Sequence, residues 1–212
     1  MAQDDLKPLD EIFTADPVHS LFVMLDKKTG SLRPVVIDDH YSFISDINLT
    51  ASAPKDIRSQ FETSRNLLLY AWFVLRFIPV AELQAYASLE LALKTRISQV
   101  NEGILKKHSG LKRMLVFAIQ QNWICDTGIR QYQRIEEKRN ESLASMKRIL
   151  GDEYASYGPI GAKSYVSILE ETIPDSRNEY AHGSSTLPLM NSAYLTLEIC
   201  CDIINQLFPA KQ

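Results

Sequence analysis

Reactive side chains in this chain concentrate in one stretch, "PDSRNEYAHGSS", from Pro174 to Ser185. Arg177, Asn178 and His182 are able, respectively, to bind an anion, to orient an imidazole and to move a proton near neutral pH. The tripeptide Arg-Asn-Glu occurs twice, at residues 139–141 and 177–179, and only the second copy is followed by a histidine. Asn178 and His182 are four residues apart, so on a helix they share a face and the amide can fix the imidazole. Arg177 and His182 are five apart, which separates them by about 140° around an ideal helix. Within one chain they converge only if the long arginine wraps round. Across a two-fold axis, arginine from one subunit can approach histidine from the other, so the spacing suits a dimer better than a monomer.

Local signals predict a short helix for this stretch. Ser176 followed three residues later by Glu179 is a capping-box pattern, with Arg177 as the first helical residue. Gly183 stands where a left-handed residue would end the helix. Arg177 would then lie beside free N–H groups and the positive end of the helix dipole, an arrangement suited to a phosphate. Arginine, asparagine and histidine so placed suffice in principle for attack of a ribose 2′-OH on the adjacent phosphodiester, and no metal is required. The plainer alternative is a surface arginine paired with Asp175 or Glu179, and a helix-end histidine satisfied by a backbone carbonyl.

The sequence "RNEYAHG", just before a C-terminal amphipathic helix in a chain that reads as all-α, resembles the HEPN superfamily (higher eukaryotes and prokaryotes nucleotide-binding domains). The resemblance covers about residues 55–209. It implies an all-α, HEPN-like helical bundle acting as a homodimeric, metal-independent endoribonuclease that leaves a 2′,3′-cyclic phosphate and a 5′-OH. It further implies that Arg177 binds the scissile phosphate, His182 is the acid/base group and Asn178 orients it. The homodimer would form through the motif helix and the C-terminal helix. RNA would be the substrate, no cofactor is needed, and many such proteins are toxins, with a cognate antitoxin, or phage-defence effectors. Some relatives have lost activity and serve as dimerisation or nucleotide- or protein-binding modules.

Supporting residues are sparser. Glu90 sits on one helical face with Leu83, Ala87, Lys94 and Ile97, and is either a partner for Arg177 or one half of an i,i+4 pair with Lys94. The densest basic cluster is "KKHSGLKR", with Lys106, Lys107, Lys112 and Arg113. Arg130, Arg134 and Lys138 form a second basic row. Either set is a candidate for RNA phosphates, or simply a solvated helix face. Tyr154 and Tyr157, in a Gly/Pro loop, are candidates for stacking on bases or for plain packing.

The elements that must position these groups are mostly helical. Residues 1–53 form an N-terminal extension with a β-hairpin: an apolar run at Leu21–Leu25, a turn at Asp26–Gly30 and a second run at Val35–Ile37. Residues 54–212 form the bundle. Helices are expected from Lys55 to Ile78, from Pro79 through "AELQAYASLELALKTRIS", over "GLKRMLVFAIQQN", from Ile129 to Leu150, over "GAKSYVSILEE", over the motif, and from near Pro188 to the end. Along the last helix, Met190, Tyr194, Leu197, Cys201, Ile204 and Phe208 make a seam that is core or subunit interface.

Composition bounds the rest. A chain of 212 residues that is 45% hydrophobic and 23% charged can bury one sizeable core. Its net charge of −3 excludes nucleic-acid binding over a broad basic surface, so any contact is confined to a cleft or patch. Cys125, Cys200 and Cys201 read as free thiols, and the scattered histidines argue against a structural zinc. The acidic N-terminus is no secretory signal, and the run from Asn66 to Ile78 is too short for a membrane span. A soluble, cytoplasmic protein is expected.

Overall fold

The computed structural model describes residues 6–26, 28–100, 102–103, 110–150, 164–183 and 188–210. Among them are seven α-helices and one two-stranded antiparallel hairpin. The helices are α1 (Ile37–Ser45), α2 (Lys55–Tyr70), α3 (Phe77–Val100), α4 (Leu111–Gln120), α5 (Arg130–Leu150), α6 (Tyr165–Ala181) and α7 (Met190–Leu207). The strands are β1 (Val23–Leu25) and β2 (Leu32–Pro34), with Met24 opposite Arg33.

The centre of the molecule is α3. It is apolar around most of its circumference, and it packs against α2 on one side and α7 on another. Ala81, Ala85, Leu89, Ala92, Leu93 and Ile97 are fully buried along it. Its alanines let neighbouring helices approach closely while the leucines fill the space between them. A helix covered, away from its ends, everywhere except along the narrow line of Val80, Ala87 and Lys94 is what a central element requires. The seam of α7 belongs to this core, since Leu197, Cys201 and Ile204 are wholly buried and Met190 and Phe208 nearly so.

Three local expectations change. The helix expected from Lys55 to Ile78 stops at Tyr70, and α3 starts at Phe77 with Pro79 third in line. Proline is tolerated there because first-turn N–H groups have no intrahelical partner. The intervening turn, apolar from Ala71 to Leu75, carries Trp72 and Phe73 to the N-terminal segment, where Phe73 meets Phe13 edge-on. The second strand falls at Leu32–Pro34 rather than Val35–Ile37, because Ile37 opens a helix that periodicity did not reveal. That helix, α1, is fastened at its start by Asp39, which accepts from the Val36 N–H and a forked pair of bonds from Arg33 at 2.6 and 2.7 Å. These bonds hold the Asp39 carboxyl down at about 2.

The third change concerns the motif. The fifth helix and the motif helix are one element, α6, that runs from Tyr165 to Ala181 straight through Pro174. An interior proline removes one backbone bond and costs about 3 kcal/mol. Here Ile173 and Pro174 are both buried, and their packing offsets that cost.

The N-terminal segment lies on this bundle through α2 and α7. The Asp16 N–H donates to the Trp72 carbonyl, and His19 stacks on Trp72 with ring centroids 4.0 Å apart. His40 of α1 is fully buried, contacting the Leu68 and Leu69 carbonyls through Nε2 and the Tyr194 hydroxyl through Nδ1. Among the described residues no helix is long and apolar enough to cross a membrane.

Candidate functional site

The continuity of α6 alters the electrostatics of the motif. Ser176 is interior and caps nothing, and Arg177 stands thirteenth in a seventeen-residue helix. The free N–H groups and dipole that were expected beside Arg177 are therefore absent, because its backbone is already hydrogen-bonded within the helix. The stop signal does operate as expected. His182 is the C-terminal cap, its N–H donating to the Asn178 carbonyl, and Gly183 takes φ +84° with its N–H donating to the Tyr180 carbonyl.

Arg177 and Asn178 open onto a cleft of about 490 Å³ lined by Glu90, Gly110, Leu111, Lys112, Arg113, Pro174, Arg177 and Asn178. Three helices converge on it: α3 brings Glu90, α4 begins there with Lys112 and Arg113 in its first turn, and α6 brings the motif. Arg177 Nη2 lies 3.3 Å from Glu90 Oε2, and Glu90 Oε1 is 2.6 Å from Lys94 Nζ. Glu90 thus serves both partners considered for it. Asn178 Oδ1 accepts from Arg177 at 3.3 Å rather than from the imidazole. Three cationic side chains and one carboxylate line the cleft, so a positive balance remains after the Glu90 contact.

His182 does not line that cleft. It is exposed at the end of α6, and among the described residues its imidazole has no hydrogen-bond partner. One chain therefore gathers the arginine, asparagine and basic residues at one place and presents the histidine at another.

The remaining candidates divide. Lys106, Lys107, Tyr154 and Tyr157 lie outside the described residues. Arg130 and Arg134 are engaged elsewhere: Arg130 Nε lies 2.8 Å from Asp202 Oδ1, and Arg134 grips Glu198 through both of its terminal nitrogens. These contacts fasten the start of α5 to α7, which is a structural use of both arginines. The arginines are partly exposed but their carboxylates are largely buried, so releasing either arginine to a phosphate would leave Asp202 or Glu198 without its partner. The Asp202 carboxyl is pushed up by burial, against the hydrogen bonds from the Arg130 N–H and guanidinium that favour its charge.

Beneath the cleft is a feature that motif reasoning missed. Glu82 of α3, only 1% exposed, accepts from Thr196 Oγ1 of α7 at 2.8 Å and also interacts with the Tyr180 hydroxyl of α6. Burial pushes its carboxyl pKa up. Tyr86, one turn further along α3, stacks on Tyr180 with centroids 6.5 Å apart and shares hydroxyl contacts with Thr196 and Ser176. The signal was present as Glu-x3-Tyr-x3-Glu, three polar groups each about a helical turn apart and so on one side of α3.

Among the described residues, no group of three His, Cys, Asp or Glu side chains is placed to hold a metal ion. Compared with protein-family models, with curated proteins and with solved structures, the chain matches none.

Proposed function

We propose that this chain is an endoribonuclease of the HEPN kind, cutting RNA by 2′-OH attack without a metal. The observation that carries the reading is the convergence of Arg177 and Asn178 with Lys112 and Arg113, from a helix more than sixty positions earlier, on one cleft. Arg177 supplies a planar fork of donors to a scissile phosphate, and Lys112 and Arg113 hold the neighbouring backbone. The overall charge of −3 confines RNA contact to such a patch.

His182 reaches that phosphate from a second copy of the chain. Its separation from Arg177 around α6 makes the intramolecular route awkward, while a two-fold axis beside the helix brings one protomer's imidazole to its partner's arginine. In this arrangement His182 accepts the 2′-OH proton or protonates the leaving 5′ oxygen, and Arg177 stabilises the charge that develops on the phosphate. A toxin or phage-defence role, with a cognate antitoxin, is consistent with this chemistry.

A second reading has its own support. Arg177 is held by Glu90, and His182 stands outside the cleft, which suits a non-catalytic dimerisation or nucleotide-binding module that retains the motif as architecture. Cleavage of single-stranded RNA by purified protein in EDTA separates the two. The nuclease reading requires cutting by wild type, a 2′,3′-cyclic phosphate at the new end, and cutting slower by at least about 10²-fold from Arg177→Ala and His182→Ala. Intact RNA from all three folded proteins would give the binding module precedence.

A further inference from the structure

We propose that Glu82 is a positioning residue for this site: its buried carboxyl bridges Thr196 of α7 and Tyr180 of α6, and so sets the last turn of α6 from which His182 projects. The inference rests on the reading of Arg177, Asn178 and His182 as the functional motif.

Helices α3 and α6 meet through three polar rungs. Glu82 stands against Tyr180, Tyr86 against Ser176 and Tyr180, and Glu90 against Arg177. The outer two rungs fall in opposite order on the two helices, Glu82 with Tyr180 and Glu90 with Arg177. The Glu90 rung opens to the cleft, whereas the Glu82 carboxyl is buried. A buried carboxyl is the stronger constraint. It has no water to exchange with, and separating it from Thr196 and Tyr180 leaves a polar group stranded.

The chemistry of the carboxyl is specific to this task. A charged Glu82 would require a compensating cation, and the neighbours that act on it are Thr196, Tyr180, Tyr86 and Cys200, all uncharged. Burial raises the pKa of the acid and of Tyr86, Tyr180 and Cys200 likewise, while the hydrogen bonds from Thr196 and Tyr180 act on Glu82 in the opposite sense. Glu82 Oε2 is buried without a hydrogen-bond partner, a cost that an apolar residue at this position would avoid. A polar group kept at such a cost, joined to a residue of the motif helix, has a positional role.

The link to His182 is short. Tyr180, two residues before His182, carries the Glu82 contact on its hydroxyl and accepts the Gly183 N–H on its carbonyl, so the turn that holds His182 is tied to Glu82 through Tyr180. Release of the hydroxyl loosens the turn that aims the imidazole, while Arg177 keeps its own anchor on Glu90.

The test compares Glu82→Gln, which keeps shape and hydrogen bonding, with Glu82→Ala, and follows amide hydrogen exchange over residues 176–183 and the His182 imidazole signals by NMR. The expected result is exchange at least tenfold faster across 176–183 in Glu82→Ala, with shifted His182 signals. Glu82→Gln stays within about twofold of wild type, and the amides around Leu89 and Leu197 stay protected in both. Unchanged exchange in a folded Glu82→Ala protein would overturn the proposal, as would a Gln variant that behaves like Ala. If Glu82→Ala fails to fold, Thr196→Val removes the donor on the far side of the bridge. A smaller loosening confined to 176–183 is then expected, and its absence counts against the proposal. None of these readouts needs RNA, so a wild type that cuts nothing leaves the exchange result to decide the role of Glu82. In a protein that does cut, Glu82→Ala lowers kcat with KM nearly unchanged.

Discussion

The same three residues, Arg-Asn-Glu, occur on two helices of this protein and do different things. At 139–141 they lie on α5, which has no buried residue along its whole length. Among the described residues, Arg139 there pairs with Glu136, one turn away, at 3.1 Å. At 177–179 they lie on α6, and Arg177 crosses to Glu90 of α3, eighty-seven positions earlier, at the mouth of a cleft with two further cations. Identity of sequence thus carries little information about role. What separates the twins is whether another helix lies within reach, and that depends on packing rather than on the tripeptide.

The most direct way to break the comparison is to remove each arginine in turn. Arg177→Ala is expected to lower RNA cleavage by about 10²–10³-fold, the range for losing one donor to a developing oxyanion. His182→Ala falls within about 10²–10⁴-fold, as for a general acid or base. Arg139→Ala leaves cleavage within twofold. Single-turnover assays in EDTA check all three, and equal losses from Arg139→Ala and Arg177→Ala would erase the distinction between the twins.

The host helices should differ nearly as much in stability. Leu89 on α3 is fully buried, so Leu89→Ala is expected to cost about 2–5 kcal/mol. Leu143 on α5 is exposed, and Leu143→Ala stays within about 0.5 kcal/mol. Urea unfolding followed by circular dichroism measures both. A costly Leu143→Ala would show that something covers the distal part of α5 in solution.

Much of this was legible in the sequence for a physical reason. The bundle, the seam of α7 and the extent of α4 follow from hydrophobic periodicity, which burial imposes directly, whereas α5, with no buried residue, was legible as a strongly charged run that ends before Gly151. The end of α6 at Gly183 was legible because a left-handed residue favours glycine. The start of that helix was not. Ser176 and Glu179 form a valid capping pattern, and Pro174 just before them looks like a break. Only the buried setting of Ile173 and Pro174 overrides both signals, and that setting comes from other parts of the chain. Arg130 and Arg134 were misleading for the same reason, since Glu198 and Asp202 are some sixty to seventy positions away. The local pattern shows which groups are present, while long-range packing decides which of them are free.

The twins lie in the bundle, and a third arrangement sharpens the contrast. Among the described residues, the N-terminal segment is held by His19 against Trp72 and by His40 against Leu68, Leu69 and Tyr194. Burial lowers the pKa of both histidines; Asp16 acts on His19 in the opposite sense, and His19 disfavours the charged form of His40. The folded state therefore binds fewer protons than the unfolded chain, whose histidines titrate near 6.5. The stabilisation is full above that value and is lost as pH falls through the folded-state values. In that window each unmatched proton contributes a slope of about 1.4 kcal/mol per pH unit, so the two together approach about 2.7. Urea midpoints between pH 7 and 5 should fall steeply in wild type and less so in His40→Gln once its lower baseline is subtracted. Parallel slopes would mean that the segment is held by something other than neutral histidines.

The smallest expected effect concerns the first twin itself. The Glu136–Arg139 pair is about one-third exposed on both sides and lies within a single helix turn. Such pairs contribute about 0.2–0.5 kcal/mol and weaken with salt. Glu136→Gln and Arg139→Gln should each cost no more than that, and the double variant should cost little beyond the larger single. At 0.5 M salt the difference should vanish. The Glu90–Arg177 pair has the same chemical partners, but Glu90 is less exposed and is shared with Lys94. A double-mutant cycle on it should give a coupling larger than that of the first pair and less sensitive to salt, because screening acts weakly on charges that water does not surround. If the two cycles returned equal couplings with equal salt dependence, Arg177 would be a surface arginine like its twin, and the cleft would have to be explained without it.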